Sequence, residues 1–245
     1  MHDYSHQART YWWITAAVGY ALLGHAAYVV AGLPPEAIRQ VAMCAALAGA
    51  VAIFPVRIPG ATVSLACGEI FIFFALFLFG AEAAVLAAAF EGAVGSARTS
   101  RRWTSWFGSP AMAAIAAYAS GLPFAAARAS LDQQGLLTGP KMILLITALA
   151  IVYCTLNILL PSLLLALKRG DRLDVIGTLR DRSWMLVAHF GSAAMAANLF
   201  YYGAIVNAWL LLASLPAVGL LVWSARCVVA RSGRGRETAR PASAN

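Results

Sequence analysis

Long, nearly charge-free apolar runs recur along almost the whole chain, each close to the ~20 residues that a helix needs to cross a bilayer. Read this way, the pattern predicts eight helices, at about 11–31, 37–54, 62–79, 82–97, 110–127, 142–167, 184–202 and 207–227. The breaks between them fall where backbone chemistry disfavours a helix: Gly32-Leu33-Pro34-Pro35, Pro55 to Gly60, Gly80, Pro110 and Gly139-Pro140. Pro161 lies inside the long sixth run and predicts a kink there, because proline removes a helix hydrogen bond and crowds the preceding turn.

Composition sharpens this picture. Of the 245 residues, 61% are hydrophobic and only 11% charged, against about 25% charged in an ordinary soluble domain. One soluble core of this size could not hide so much apolar surface. The fold class expected is therefore an all-α, polytopic transmembrane helical bundle. Residues 1–10 form an N-terminal segment, 11–230 the membrane domain and 231–245 a basic tail without apolar periodicity, expected to be disordered. The start, MHDYSHQART, lacks the basic region and cleavage site of a signal peptide, so the first run reads as a retained span.

The net charge of +8 alone could suggest a nucleic-acid partner, but its distribution argues otherwise. With the N-terminus inside, one face receives Arg9, Arg57, Arg98, Arg101, Arg102, Lys168, Arg169, Arg172, Arg180, Arg182, Arg226, Arg231, Arg234, Arg236 and Arg240. The other receives only Arg39, Arg128 and Lys141, a split of fifteen to three among the 18 basic residues. Such asymmetry orients multi-pass proteins with the basic side in the cytoplasm. Both termini are expected to be cytoplasmic, in a bacterial inner membrane, with no specific nucleic-acid binding. Trp12, Trp13, Trp103, Trp106 and Trp184 suit the membrane interface. The mixed segment Lys168 to Trp184 is either a short interfacial helix or a solvated connector.

Candidate chemistry is sparse, and most of it lies in one stretch. GEIFIFFALFLFGAEAAVLAAAFEG, Gly68 to Gly92, carries Glu69, Glu82 and Glu91. A hairpin pivoting at Gly80 puts Glu69 and Glu91 eleven residues away on either side. At 1.5 Å rise per residue both would lie about 16 Å from the turn, and hence at one depth. Glu82 would sit wet at the turn. Ionised side chains inside a membrane usually face a cavity or a partner. Three readings of the pair stand open: ion pairs with Arg57, Arg98, Arg101 or Arg102 reaching inward, a polar pocket for a cationic or hydrogen-bonding ligand, or two acids sharing a proton. His25, Asn157, His189 and Asn198 are the other polar residues in apolar runs that could complete a pocket, or each could make one interhelical hydrogen bond and no more. Glu69, Glu91, Arg57, Asn157 and His189 are the candidate ligand-binding set.

Other chemistry is not indicated. The cysteines at 44, 67, 154 and 227 make no CxxC pair or disulfide framework and read as buried thiols. There is no HExxH, Walker A or GxSxG motif and no His pair at metal spacing, so neither a cofactor, a metal site nor an enzyme is expected. Small residues in the fourth run and the Ala-rich fifth allow close helix approach.

The run Val56-Arg57-Ile58-Pro59-Gly60-Ala61-Thr62-Val63-Ser64-Leu65, then Gly68-Glu69, FLFGAEAAVLAAAFEGAVGS and the basic Arg98–Arg102 turn resemble the MASE-like integral-membrane sensor modules of bacterial signalling proteins. The resemblance covers about residues 50–125. It implies that Glu69 and Glu91 occupy the family's acidic positions and Arg57 its basic one. Such modules are fused to cyclic-di-GMP enzymes or histidine kinases, yet no GGDEF, EAL, HD-GYP or kinase sequence follows the last span here. The same hairpin resembles, more distantly, the substrate-binding subunits of energy-coupling-factor vitamin transporters. The function expected is a membrane-embedded sensor or ligand-binding module. The alternatives are a transport subunit working with a partner ATPase, or a non-catalytic scaffold. The partners these readings call for are the bilayer, a cytoplasmic signalling or ATPase partner, and a second copy in a homodimer.

Overall fold

In the structure, a computed structural model that describes residues 4–53, 56–57, 64–65 and 68–202, the chain is all-helical apart from one short ladder. The helices are α1 (His6–Ala31), α2 (Pro35–Ala52), α3 (Glu69–Phe79), α4 (Ala81–Thr99), α5 (Trp103–Gln133), α6 (Gly139–Arg169), α7 (Val175–Asp181) and α8 (Trp184–Tyr202). Between α2 and α3, β1 (Val56–Arg57) and β2 (Ser64–Leu65) pair antiparallel, with Arg57 opposite Ser64. Among the described residues three helices, α1, α5 and α6, are long and apolar enough to cross a membrane.

The eight helices among the described residues are not the eight expected. Seven expected runs correspond to α1–α6 and α8; the run at 207–227 and the basic tail lie outside the described residues. The extra helix is α7, whose Asp174 side chain accepts from the Gly177 N–H at 2.9 Å as an N-cap. It realises the helical alternative for the 168–184 segment and buries none of its residues, leaving Ile176 80% exposed.

Two boundaries are corrected. The third run begins at Glu69 and not near residue 62, because backbone that would have opened that helix pairs as β2. Glu69 is thus a first-turn residue, where a negative side chain faces the positive end of the helix dipole. Nor does Pro110 start a helix. α5 runs from Trp103 through Pro110 and Pro123 to Gln133, a placement that neighbouring helices make tolerable in membrane proteins. α6 likewise continues through Pro161.

α3 is the centre of the bundle. Every residue from Glu69 to Phe77 is buried, and the helix packs against α2, α4 and α8. At about 1.5 Å per residue its 11 residues reach roughly half of a ~30 Å hydrocarbon layer. A helix apolar on all sides belongs inside a bundle. Gly80 alone joins α3 to α4, with φ 92° and ψ −175°, a conformation that glycine adopts without the cost a Cβ would bring. The helices α4 and α5 then approach closely: a β-carbon at Gly92 would lie 3.1 Å from the Ser109 carbonyl and 3.3 Å from Pro110 and Ala113. Arg128 on α5 donates to the Phe77 carbonyl at 2.9 Å and lies 4.7 Å over the Phe200 ring, a cation at the C-terminal end of α3.

Candidate functional site

The hairpin brings Glu69 and Glu91 to one cavity, as their equal spacing from Gly80 predicts. The cavity, about 260 Å³, lies among α2, α3, α4, α5, α6 and α8, and Glu69, Glu91, Tyr153, Asn157 and His189 supply most of its polar chemistry. Thr99 and Ser96 line it toward the Arg98–Arg102 turn, and it is not sealed.

Each side chain is placed by its helix. His189 on α8 is 2% exposed. Its Nδ1 is 2.8 Å from the carbonyl of Met185, one turn back. A carbonyl only accepts, so Nδ1 carries the hydrogen and Nε2 is the nitrogen turned to the acids. Nε2 lies 3.6 Å from Glu69 Oε1. Tyr153 on α6 packs edge-on against Phe73 at 5.0 Å and lies 5.5 Å from the His189 ring. Asn157, the next turn along, donates to the Tyr153 carbonyl at 2.9 Å.

Glu91 differs from Glu69. Its carboxyl packs over Gly68, so closely that a β-carbon there would collide with Oε1. Oε1 is buried, yet it has no hydrogen-bond partner among the described residues. A buried polar atom left unpaired costs about 1–3 kcal/mol, and native structures contain few of them. The arrangement provides an imidazole 3.6 Å from one carboxyl group, beside a second whose Oε1 has no partner among the described residues.

The reading in which arginines neutralise the acids is not realised among the described residues: Glu69 pairs with His189, neither acid is ion-paired to an arginine, and Arg98 and Arg101 are exposed. Arg57 has its backbone in β1, and its side chain lies outside the described residues. His25 and Asn198 do not complete the pocket. His25 is exposed on α1, 4.0 Å from Glu82, which is therefore paired and only partly wet, and Asn198 donates to the Ala194 carbonyl on the exposed side of α8. Cys44 and Cys154 are buried free thiols, as expected. No group of three or more His, Cys, Asp or Glu among the described residues could hold a metal ion.

Tyr153 and Ser109 join the cavity without having been singled out from the sequence, and Ser96, read there only as a small packing residue, joins it too. For Tyr153 a signal existed: it stands four residues before Asn157 and shares its helix face. Compared with known proteins, the chain matches no family model, no curated protein and no solved structure.

Proposed function

We propose that the protein is a membrane-embedded ligand-binding module, and that the cavity around Glu69, Glu91 and His189 takes a small cation or hydrogen-bond donor. The observation that carries this reading is the buried, unpartnered Oε1 of Glu91 beside an already paired Glu69. A carboxylate with an open acceptor site and a roomy polar neighbourhood is half of a charge-assisted hydrogen bond. At about 260 Å³ the cavity falls just below the range of roughly 300–1,000 Å³ typical of drug-sized ligands, so the ligand is small. An amine or a small amidine fits this chemistry; an anion does not.

Six helices contribute to the cavity wall, so occupancy would bias how α2, α3, α4, α5, α6 and α8 pack. That supports a sensor in a bacterial inner membrane, relaying its state through the basic turns to a cytoplasmic partner, in keeping with the MASE-like residues. The deciding experiment is native mass spectrometry of the full chain in detergent, joined to thermal melts with an ammonium series from methylammonium to tetramethylammonium. A discrete adduct, or a stabilising ammonium ion, that is lost in Glu91→Gln supports the reading. The absence of any adduct or stabilisation in the wild type would sink it.

A further inference from the structure

The acidic cavity is drawn out along α4. The α4 residues that line it are Ala88, Glu91, Gly92, Gly95, Ser96 and Thr99, at the three-and-four spacing of one helix face. At about 1.5 Å per residue, Thr99 lies about 12 Å along the axis from Glu91. Thr99 is exposed, Ser96 is buried and Glu91 Oε1 is buried, so this face leads from the surface at the end of α4 down to the unpartnered carboxyl oxygen. Gly95 keeps the passage open: a β-carbon there would meet nothing closer than Ala52 Cβ, at 3.9 Å.

The passage also offers acceptors in a row. The Ser96 hydroxyl donates to the Ala93 carbonyl at 3.0 Å and the Thr99 hydroxyl to the Gly95 carbonyl at 2.7 Å. A hydroxyl whose hydrogen is committed in this way presents only lone pairs to its surroundings. Neither oxygen accepts a bond among the described residues. Ser96 stands about 8 Å along the axis from Glu91, so one ligand that donates at both ends gains both bonds. The two donors differ in kind. At Glu91 the acceptor is a carboxyl group, where an ammonium makes a charge-assisted bond. Toward the mouth the acceptors are neutral, and Arg98 and Arg101 stand exposed at the end of α4. A second cation is repelled there and a neutral donor is not.

We propose that the ligand of this cavity is a linear amino alcohol, with its ammonium on Glu91 Oε1 and its hydroxyl donating to Ser96 Oγ, and that it enters at the Thr99 end. This rests on the cation reading of the cavity and names the class of its ligand. An extended chain advances about 1.2 Å per bond, so the interval from Glu91 to Ser96 takes roughly six bonds, a chain of about five methylenes.

The test is thermal melting of the full chain in detergent, titrated with methylammonium, ethanolamine, aminopentanol, pentylamine and diaminopentane. Aminopentanol should bind about tenfold or more tighter than ethanolamine, since each fully buried methylene is worth about fourfold. It should bind several-fold tighter than pentylamine or diaminopentane, the margin of one hydrogen bond. Ser96→Ala should bring aminopentanol down to the level of pentylamine. Gly95→Val, whose side chain fills the passage, should weaken aminopentanol by about tenfold or more and leave methylammonium within about twofold. Aminopentanol no tighter than ethanolamine, a preference for pentylamine or diaminopentane, or unchanged aminopentanol binding in Gly95→Val would overturn the proposal. In each of these cases methylammonium binding that is lost in Glu91→Gln leaves the cation reading standing. Binding of no ammonium at all removes both. If Gly95→Val does not fold, Ser96→Ala decides: a lost margin over pentylamine upholds the assignment and an unchanged margin removes it.

Discussion

His189 holds Nε2 3.6 Å from Glu69 Oε1 while Nδ1 is committed to the Met185 carbonyl. One proton between these two groups suffices for either arrangement, imidazolium with carboxylate or neutral imidazole with carboxylic acid. In both, the pair bridges α8 to the first turn of α3, two elements that line the cavity. It is the polar fastening in an interface otherwise made by Phe77, Phe200, Ala193 and their neighbours.

Breaking this fastening from one side should be worse than removing it. His189→Leu leaves Glu69 buried without its partner, and loss of one member of a buried pair costs about 3–5 kcal/mol. Replacing both, as Glu69→Leu with His189→Leu, exchanges the pair for apolar contact and should recover most of that loss. Thermal melts in detergent of the two single variants and the double variant form the cycle, with an expected coupling of about 3 kcal/mol or more, at the upper end of what residues in contact show. Simple additivity of the two losses would show that the 3.6 Å approach carries no interaction.

Gly68 is required for a different reason. Its φ of −75° suits any residue, but a β-carbon would strike Glu91 Oε1 and come within 2.9 Å of the Ala48 carbonyl. Overpacking of this sort costs about 1–3 kcal/mol, so Gly68→Ala should lower the melting temperature by several degrees. Adding Glu91→Ala removes the first clash and leaves the second, so part of the loss should return. If Gly68→Ala melts like the wild type, Glu91 does not rest over Gly68.

The sequence made the hairpin legible because its signals are local: two apolar runs, one glycine between them, and acids at matching distances. Seven of the expected runs reappear as helices for the same reason, apolar length being recorded residue by residue. The true start of α3 was not legible. Nothing in the stretch around Ser64 and Leu65 forbids a helix, and only pairing with Val56–Arg57 diverts these two residues into a strand. The partnership of His189 with Glu69 was equally hidden, since 120 positions separate them and no spacing rule connects α8 to α3. Asn157 and His189 were flagged as polar residues in oil, a signal that also raised His25 and Asn198. Tertiary packing divided those four into two that face the acids and two that do not.

Arg128 should prove structural. It donates to the Phe77 carbonyl near the end of α3 and stacks over Phe200, so its removal unseats one end of the central helix. Arg128→Ala should cost about 1–3 kcal/mol, the range for a hydrogen bond to a charged group together with a cation–π contact. Arg128→Lys can satisfy the carbonyl or the ring but lacks the planar fork that meets both, so it should restore only part. Neither change should alter retention of an ammonium ligand at Glu91, because Arg128 lies at the other end of α3. Loss of ligand with unchanged melting in Arg128→Ala would reverse this assignment.

The basic residues predict an orientation that can be tested directly. Gln134, between α5 and α6, and Asp171, between α6 and α7, are both exposed and lie beyond opposite ends of the 31-residue α6. If the fifteen-to-three split of Lys and Arg sets the orientation, Asp171 should lie on the cytoplasmic side and Gln134 outside. In a variant whose four cysteines are replaced by alanine, Gln134→Cys should react with a membrane-impermeant maleimide in intact cells from which the outer membrane has been stripped. Asp171→Cys should react only after the inner membrane is permeabilised. The reverse pattern would place the basic turns and the mouth of the acidic cavity outside the cell, and the ligand would then be drawn from the environment. Labelling of both in intact cells would mean that α6 does not cross the bilayer. That result would remove the membrane-spanning reading at its strongest helix, since α6 has a mean hydropathy of 2.5 over its best window.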